Sequence, residues 1–195
     1  MKNKLLTLFT VLFFSQAEAQ DFNKYLAEAR TSYSAKKLDD ARFAMQQLLQ
    51  ELDILAGKDI LKLLPTKFDV LEVNAASDNI TGNSGFAGVM INREYGAGEK
   101  TAEIQIIGNS PLLGSINALL SLPFINAAGN QKSIKLNGYK GLLQKNTDTE
   151  TNKVSYEIQV PLNSSLLTIR SNGFSEDELQ KIASKLPISE IAKLL

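Results

Sequence analysis

Thr101-Ala102-Glu103-Ile104-Gln105-Ile106, TAEIQI, sets the fold class. Ala102, Ile104 and Ile106 fall on one side of an extended chain, and Thr101, Glu103 and Gln105 on the other. The same period of two returns in VSYEIQV, residues 154–160, where Val154, Tyr156, Ile158 and Val160 alternate with Ser155, Glu157 and Gln159. Strands with one dry and one wet face belong to antiparallel sheets, because the helical crossovers of parallel sheets cover both faces. Working outward, the pattern predicts further strands at Phe68–Val73, Phe86–Tyr95, Ser133–Leu136, Tyr139–Gln144 and Leu166–Arg170. Gly96-Ala97-Gly98 and Asn146 to Asn152 are the expected hairpin turns.

Before Pro65 the period is helical. Phe22, Tyr25, Leu26 and Ala29 recur at three and four, as do Ala41, Met45, Leu48, Leu49 and Leu52. Lys36-Lys37-Leu38-Asp39-Asp40 reads as the turn between them, with an Asp as N-cap of the second helix. Lys58 to Leu64 is expected to add a short third helix. The small residues Ala29 and Ala41 are spaced as in a tetratricopeptide hairpin, but no second copy follows. Further on, Ser110-Pro111 is expected to cap and open a helix that stops at Pro123. Ser175-Glu176-Asp177-Glu178 is a capping box for a helix striped by Leu179, Ile182, Ala183 and Leu186. Pro187 ends it, and Ser189 to Leu195 forms a last short helix. The order predicts an α+β fold: an N-terminal helical hairpin, then an antiparallel sheet with helices packed on it.

The N-terminus reads as an export signal. Lys2 and Lys4 precede an apolar run, Leu5 to Phe14, and Ala17-Glu18-Ala19 offers small residues for cleavage between Ala19 and Gln20. A run of that length is short of the roughly 20 residues that cross a bilayer. The expected parts are residues 1–19 as signal, 20–64 as helical hairpin and 65–195 as an α+β domain that folds without the hairpin. The expected location is the periplasm, or the medium outside the cell, with no membrane-spanning segment.

Composition narrows the function. The chain holds 21 basic and 21 acidic residues, and losing Lys2, Lys4 and Glu18 with the signal takes away two basic and one acidic residue, for a net charge near −1. Without a basic run longer than Lys36-Lys37, nucleic acid is not an expected partner. There is no His and no Cys. Ser-His-Asp and Cys-His nucleophile systems are therefore excluded, together with the usual ligands of zinc, haem and iron–sulfur clusters. The sequence names no catalytic residue, no metal-ligating set and no cofactor, and its binding residues stay unassigned.

Three short patterns are weighed on geometry. Ser34-Ala35-Lys36-Lys37, Ser77-Asp78-Asn79 and Lys100-Thr101-Ala102 approach the S-x-x-K, S-D-N and K-T-G marks of serine β-lactamases. Yet Ser34 ends an amphipathic helix, and the chain is too short for that two-part fold. Asn146, Asp148, Glu150 and Asn152, with Glu157 beyond them, have calcium-loop spacing. Thr151 stands where the loop needs glycine, so a solvated hairpin tip is expected. Glu103 and Glu157 lie on wet faces and form the one carboxylate pair to compare with a glycosidase. For strand glutamates, solubility is the ordinary role.

As a set, EIQIIGNSPLLGSINALLSLPF, IKLNGYKGLLQ and SLLTIRSNGFSEDELQKIASKLP resemble an uncharacterised group of exported bacterial proteins. These join an N-terminal helical hairpin to an α+β domain whose element order is similar to the PsbP-like sandwich. The resemblance spans about residues 60 to 195 and rests on caps, turns and glycines, so it implies fold and export and transfers no functional residue. The expectation is a non-enzymatic binding or assembly factor whose partner is an envelope or secreted protein. The alternative is a carrier holding a small apolar ligand between sheet and helix, lined by Leu112, Ile116, Leu119 and Tyr156.

Overall fold

The computed structural model describes residues 16–82, 88–122 and 129–195. The n-region and apolar run of the expected signal lie outside them, as do Phe86 and Pro123. Two helices come first, α1 (Gln16–Ser34) and α2 (Leu38–Leu63). The expected cleavage point between Ala19 and Gln20 falls within α1.

Compact packing divides the chain between Leu52 and Asp53, inside α2, where the sequence reading placed the junction at 64/65. In the first unit, α1 ends in a Schellman turn. Lys36 takes the left-handed conformation, at φ 59°, that glycine usually supplies. The Lys37 N–H donates to Ser32 O at 2.9 Å and the Lys36 N–H to Tyr33 O at 3.0 Å. Neither Asp39 nor Asp40 is the N-cap of α2. Both lie in its first turn, where a carboxylate still favours the positive end of the helix dipole. Ala41 and Ala44 are buried.

The second unit is built on one eight-stranded, wholly antiparallel sheet. Its strands are β1 (Lys67–Phe68), β2 (Leu71–Thr81), β3 (Met90–Ala97), β4 (Lys100–Gly108), β5 (Gln131–Leu136), β6 (Tyr139–Thr147), β7 (Val154–Leu162) and β8 (Ser165–Asn172). They run in the order β1-β2-β3-β4-β8-β7-β6-β5, two four-stranded meanders joined where β4 meets β8. The extended segment expected at Phe68–Val73 is a tight hairpin, β1 to β2. It turns at Asp69, φ 58°, and continues to Thr81. Asn137-Gly138 closes β5 on β6 with positive φ at both residues, as a two-residue hairpin loop requires.

Alternation sorts the sheet into two faces. The dry face carries Tyr95, Ala102, Ile104, Ile106, Ile158, Val160, Leu167 and Ile169. It is covered by α4 (Glu176–Ala183) and α5 (Ile188–Leu194), through Leu179, Ile182, Ala183, Ile188 and Ile191. The end of α2 covers it too. The expected third helix at 58–64 is the continuation of α2, and its Ile60 and Leu64 belong to this core. Gly57 permits the approach, for a Cβ there would stand 2.8 Å from Ile80 Cγ2.

Polar clamps fix the helices over that face. Arg93, on β3, grips Asp78 through Nε at 2.9 Å and Nη2 at 2.6 Å. Its Nη1 donates to Leu61 O and Leu64 O, at 2.8 and 3.0 Å, where α2 leaves carbonyls without helical partners. Tyr95 donates to Pro65 O at 2.9 Å. The turn residues Asn137 and Asn163 donate to Leu186 O and Ala192 O, at 2.7 and 2.9 Å, tying the α4–α5 region down.

On the opposite face, α3 (Leu113–Leu120) covers only one end of the sheet, with Ile116 against Leu142 and Leu166. The helix starts later than expected. Ser110 is not its cap, although Ser110 Oγ accepts from the Leu112 N–H at 3.4 Å within the preceding turn. The capping box of α4 forms as the sequence implies, with Ser175 and Glu178 each accepting from the other's backbone N–H.

Candidate functional site

The rest of that second face is open and polar. Because the strands are in register, its side chains form rows running across them. One row is Gly96, Thr101, Asn172, Ser155 and Asn146; the next is Glu94, Glu103, Arg170, Glu157 and Gln144. A third is Asn92, Gln105, Thr168, Gln159 and Leu142, at the border of the α3-covered end. The first two rows, Gln144 apart, line a groove of about 360 Å³. Its floor is lowered at Gly96, where no side chain rises. Tyr95 and Tyr156, the neighbouring aromatics, send their rings to the dry face, where both pack on the core.

Arg170 organises the middle row. Its Nε donates to Glu157 Oε2 at 2.9 Å, and its Nη1 to Glu103 Oε2 at 3.2 Å and Gln105 Oε1 at 3.4 Å. Partial burial works against the guanidinium charge, yet the Glu157 and Glu103 carboxylates outweigh it and raise the Arg170 pKa. Glu103 and Glu157, the pair compared with a glycosidase, are thus brought to one cation instead of facing each other across an open cleft. Glu94 lies directly across from Glu103 and has no ion-pair partner among the described residues. Like charges set opposite each other in this way destabilise a strand pair.

The other sequence candidates serve local structure. Ser34 ends α1 in the first unit. Ser77 donates to Asn74 O at 2.7 Å in the irregular stretch of β2, while Asp78 holds Arg93 and Lys100 stacks over the Phe174 ring at 4.1 Å. In the β6–β7 turn, Asp148 Oδ1 accepts from the N–H groups of Glu150 and Thr151. Those bonds hold its carboxyl below the usual range. Asn146 accepts from Gln144 Nε2 at 2.9 Å, and Glu157 is turned to Arg170, so the calcium-loop spacing does not converge on one point.

The four residues named for an apolar ligand do not line one cavity. Ile116 and Leu119 pack in the small cluster on the groove side, Tyr156 packs on the core across the sheet, and Leu112 is 49% exposed. The single-sequence pattern found Glu103 and Glu157 but missed Arg170 and Glu94. Their signal was parity, which follows only once strand neighbours and register are known. Among the described residues no helix is long and apolar enough to cross a membrane. Comparison with protein-family models, with curated proteins and with solved structures finds no match.

Proposed function

We propose that the chain is an exported, non-enzymatic binding or assembly factor of the cell envelope, and that the open polar face of its sheet is the working surface. The arrangement of the middle row carries this reading. The two carboxylates compared with an acid–base pair each give one oxygen to Arg170, in a shallow groove, and no imidazole or thiol exists in the chain to replace them. A rigid sheet presenting rows of hydrogen-bonding side chains suits recognition. Export rests on the signal-like residues 1–19. Kinship with the exported PsbP-like group is proposed for the fold, supported by an antiparallel sheet that carries helices on both faces.

In-cell crosslinking tests the role. A photo-crosslinking residue at Asn146 or Asn172, on the groove, is expected to trap an envelope protein, while one at Val70 is expected to trap none. Intact mass of the exported protein is expected to begin at Gln20. A lipid-sized mass retained in native mass spectrometry, with no crosslink from the groove, overturns the reading in favour of the carrier.

A further inference from the structure

We propose that two copies of the chain pair through their helical hairpins, antiparallel about a twofold axis, to make a four-helix bundle. The first unit leaves one apolar side uncovered. On α2, Met45 and Leu49 each follow a covered residue, Ala44 and Leu48; on α1, Leu26 and Tyr33 follow half-buried Tyr25 and Ser32. Advancing one residue turns about 100° around a helix, so each exposed stripe is rotated in the same sense from the covered one. Residues 35–37 form a short turn, which sets the two helices antiparallel. Equal rotation on antiparallel neighbours brings both stripes to the same side of the hairpin.

The stripe on α2 has the spacing of a packing seam. Leu38, Met45 and Leu52 repeat at seven, with Leu49 between the last two, the period by which one helix packs along another. The side chains of this side run from 39% exposed at Leu26 to 70% at Tyr33. Together they present about 700 Å², above the largest apolar patch of a typical monomer, and pairing two copies buries about 1,400 Å², the size of a specific interface.

Charge selects the occupant. From Asp21 to Leu52 the hairpin carries five basic and five acidic residues, placed unevenly. Its turn half, residues 29–44, holds Arg30, Lys36, Lys37 and Arg42 against Asp39 and Asp40, an excess of two positive charges. Its open half holds Lys24 against Asp21, Glu28 and Glu51, an excess of two negative charges. A second copy laid antiparallel sets each basic half on the other's acidic half, and the twofold matches the apolar side to itself. Parallel pairing would set like charge on like. Zero net charge gives an anionic lipid surface nothing to attract. Arg42, at the edge of the seam, already pairs with Asp39 at 2.9 Å.

Sedimentation of the chain without its first 19 residues, over a dilution series, tests the pairing. A dimer that dissociates on dilution is expected. Met45→Lys and Leu49→Glu are each expected to raise its dissociation constant about tenfold or more. Phe43→Ser is expected to leave it unchanged, because Phe43 is exposed but precedes Ala44 and so lies off the seam. Circular dichroism establishes that each variant keeps its helices; all three positions are exposed. The chain has no Cys, so introduced thiols report the orientation. Leu38 and Leu52 stand seven residues to either side of Met45, and Leu38→Cys mixed with Leu52→Cys is expected to form a disulfide across the twofold. Leu38→Cys linking to itself as readily overturns the antiparallel arrangement. A monomer at every concentration overturns the pairing, whether the stripe then holds phosphatidylcholine vesicles or another protein's helix. So does a dimer indifferent to Leu49→Glu, or one weakened equally by Phe43→Ser.

Discussion

Arg93 makes four hydrogen bonds that join β3 to Asp78 and to the end of α2. Its side chain is 11% exposed and that of Asp78 18%, so the pair is largely withdrawn from water. Its hydrogen bonds to Asp78 outweigh burial and raise the Arg93 pKa. Asp78→Ala leaves the guanidinium without its carboxylate and is expected to cost about 3 kcal/mol in urea denaturation, the usual loss when one half of a buried pair is removed. Its neighbour Tyr95 is pushed up to about 12, chiefly by burial. Because the folded value lies above the unfolded value of about 10, this contribution is intact below pH ~10 and is lost as the pH rises toward about 12. Phenolate absorbance is expected to show a tyrosine ionising near 12 that Tyr95→Phe abolishes, at a cost of about 1 kcal/mol for the bond to Pro65. Gly57 gives a prediction whose sign depends on tertiary contact. Helix propensity alone favours Gly57→Ala by about 1 kcal/mol. With the added Cβ at 2.8 Å from a branched Ile80 methyl, overpacking costs about 1–3 kcal/mol, and thermal melting is expected to show net destabilisation.

Helix α4 shows how a local motif fixes an element. Ser175 accepts from the Glu178 N–H, and Glu178 Oε2 accepts from the Ser175 N–H at 2.7 Å. Ser175→Ala is expected to cost about 1 kcal/mol. Bonds from the Ser175 backbone and hydroxyl hold the Glu178 carboxyl below its ordinary range. A lowered folded pKa means stability that is present above the ordinary carboxylate value and lost as the pH falls through the folded one. The melting-temperature gap between wild type and Glu178→Gln is therefore expected to close under acid. The capping box was legible because all its residues lie within one turn. The α3 start was not, since Ser110-Pro111 carries the same kind of local signal while the chain makes a turn there before the helix begins. Helix α2 departs from the reading in the other direction. The sequence reading set a separate third helix at Lys58 to Leu64, before Pro65, whereas burial of Ile60 and Leu64 favours one continuous element.

For the whole molecule, the division inside α2 changes which fragment is expected to fold. The sequence reading expected residues 66–195 to be self-sufficient. That fragment lacks Ile60, which is fully buried, together with Leu64 and the carbonyls that receive Arg93. Losing two buried aliphatic side chains costs about 2–5 kcal/mol each, which is much of the stability of a small domain. Residues 53–195 are expected to melt cooperatively, and 66–195 to melt without a sharp transition, by circular dichroism and calorimetry. A sharp transition in the shorter fragment would restore the junction at 64/65.

What the sequence determined by itself are the features written in neighbouring residues. The period of two around Thr101–Ile106 placed β4 and its two faces. The period near 3.6 placed α1 and the first half of α2, and the Ser175 box placed α4. These follow from backbone geometry, which fixes where each side chain points relative to its near neighbours. Only the tertiary structure decided that β4 lies beside β8, because pairing between residues 57 to 71 positions apart depends on the packing of the entire core and leaves no local period. That pairing sets Arg170 beside Glu103, and the β7–β8 pairing sets Glu157 on its other side. Packing also places Tyr156 and Ile116 on opposite faces of the sheet, which separates residues that the sequence had grouped as one ligand pocket.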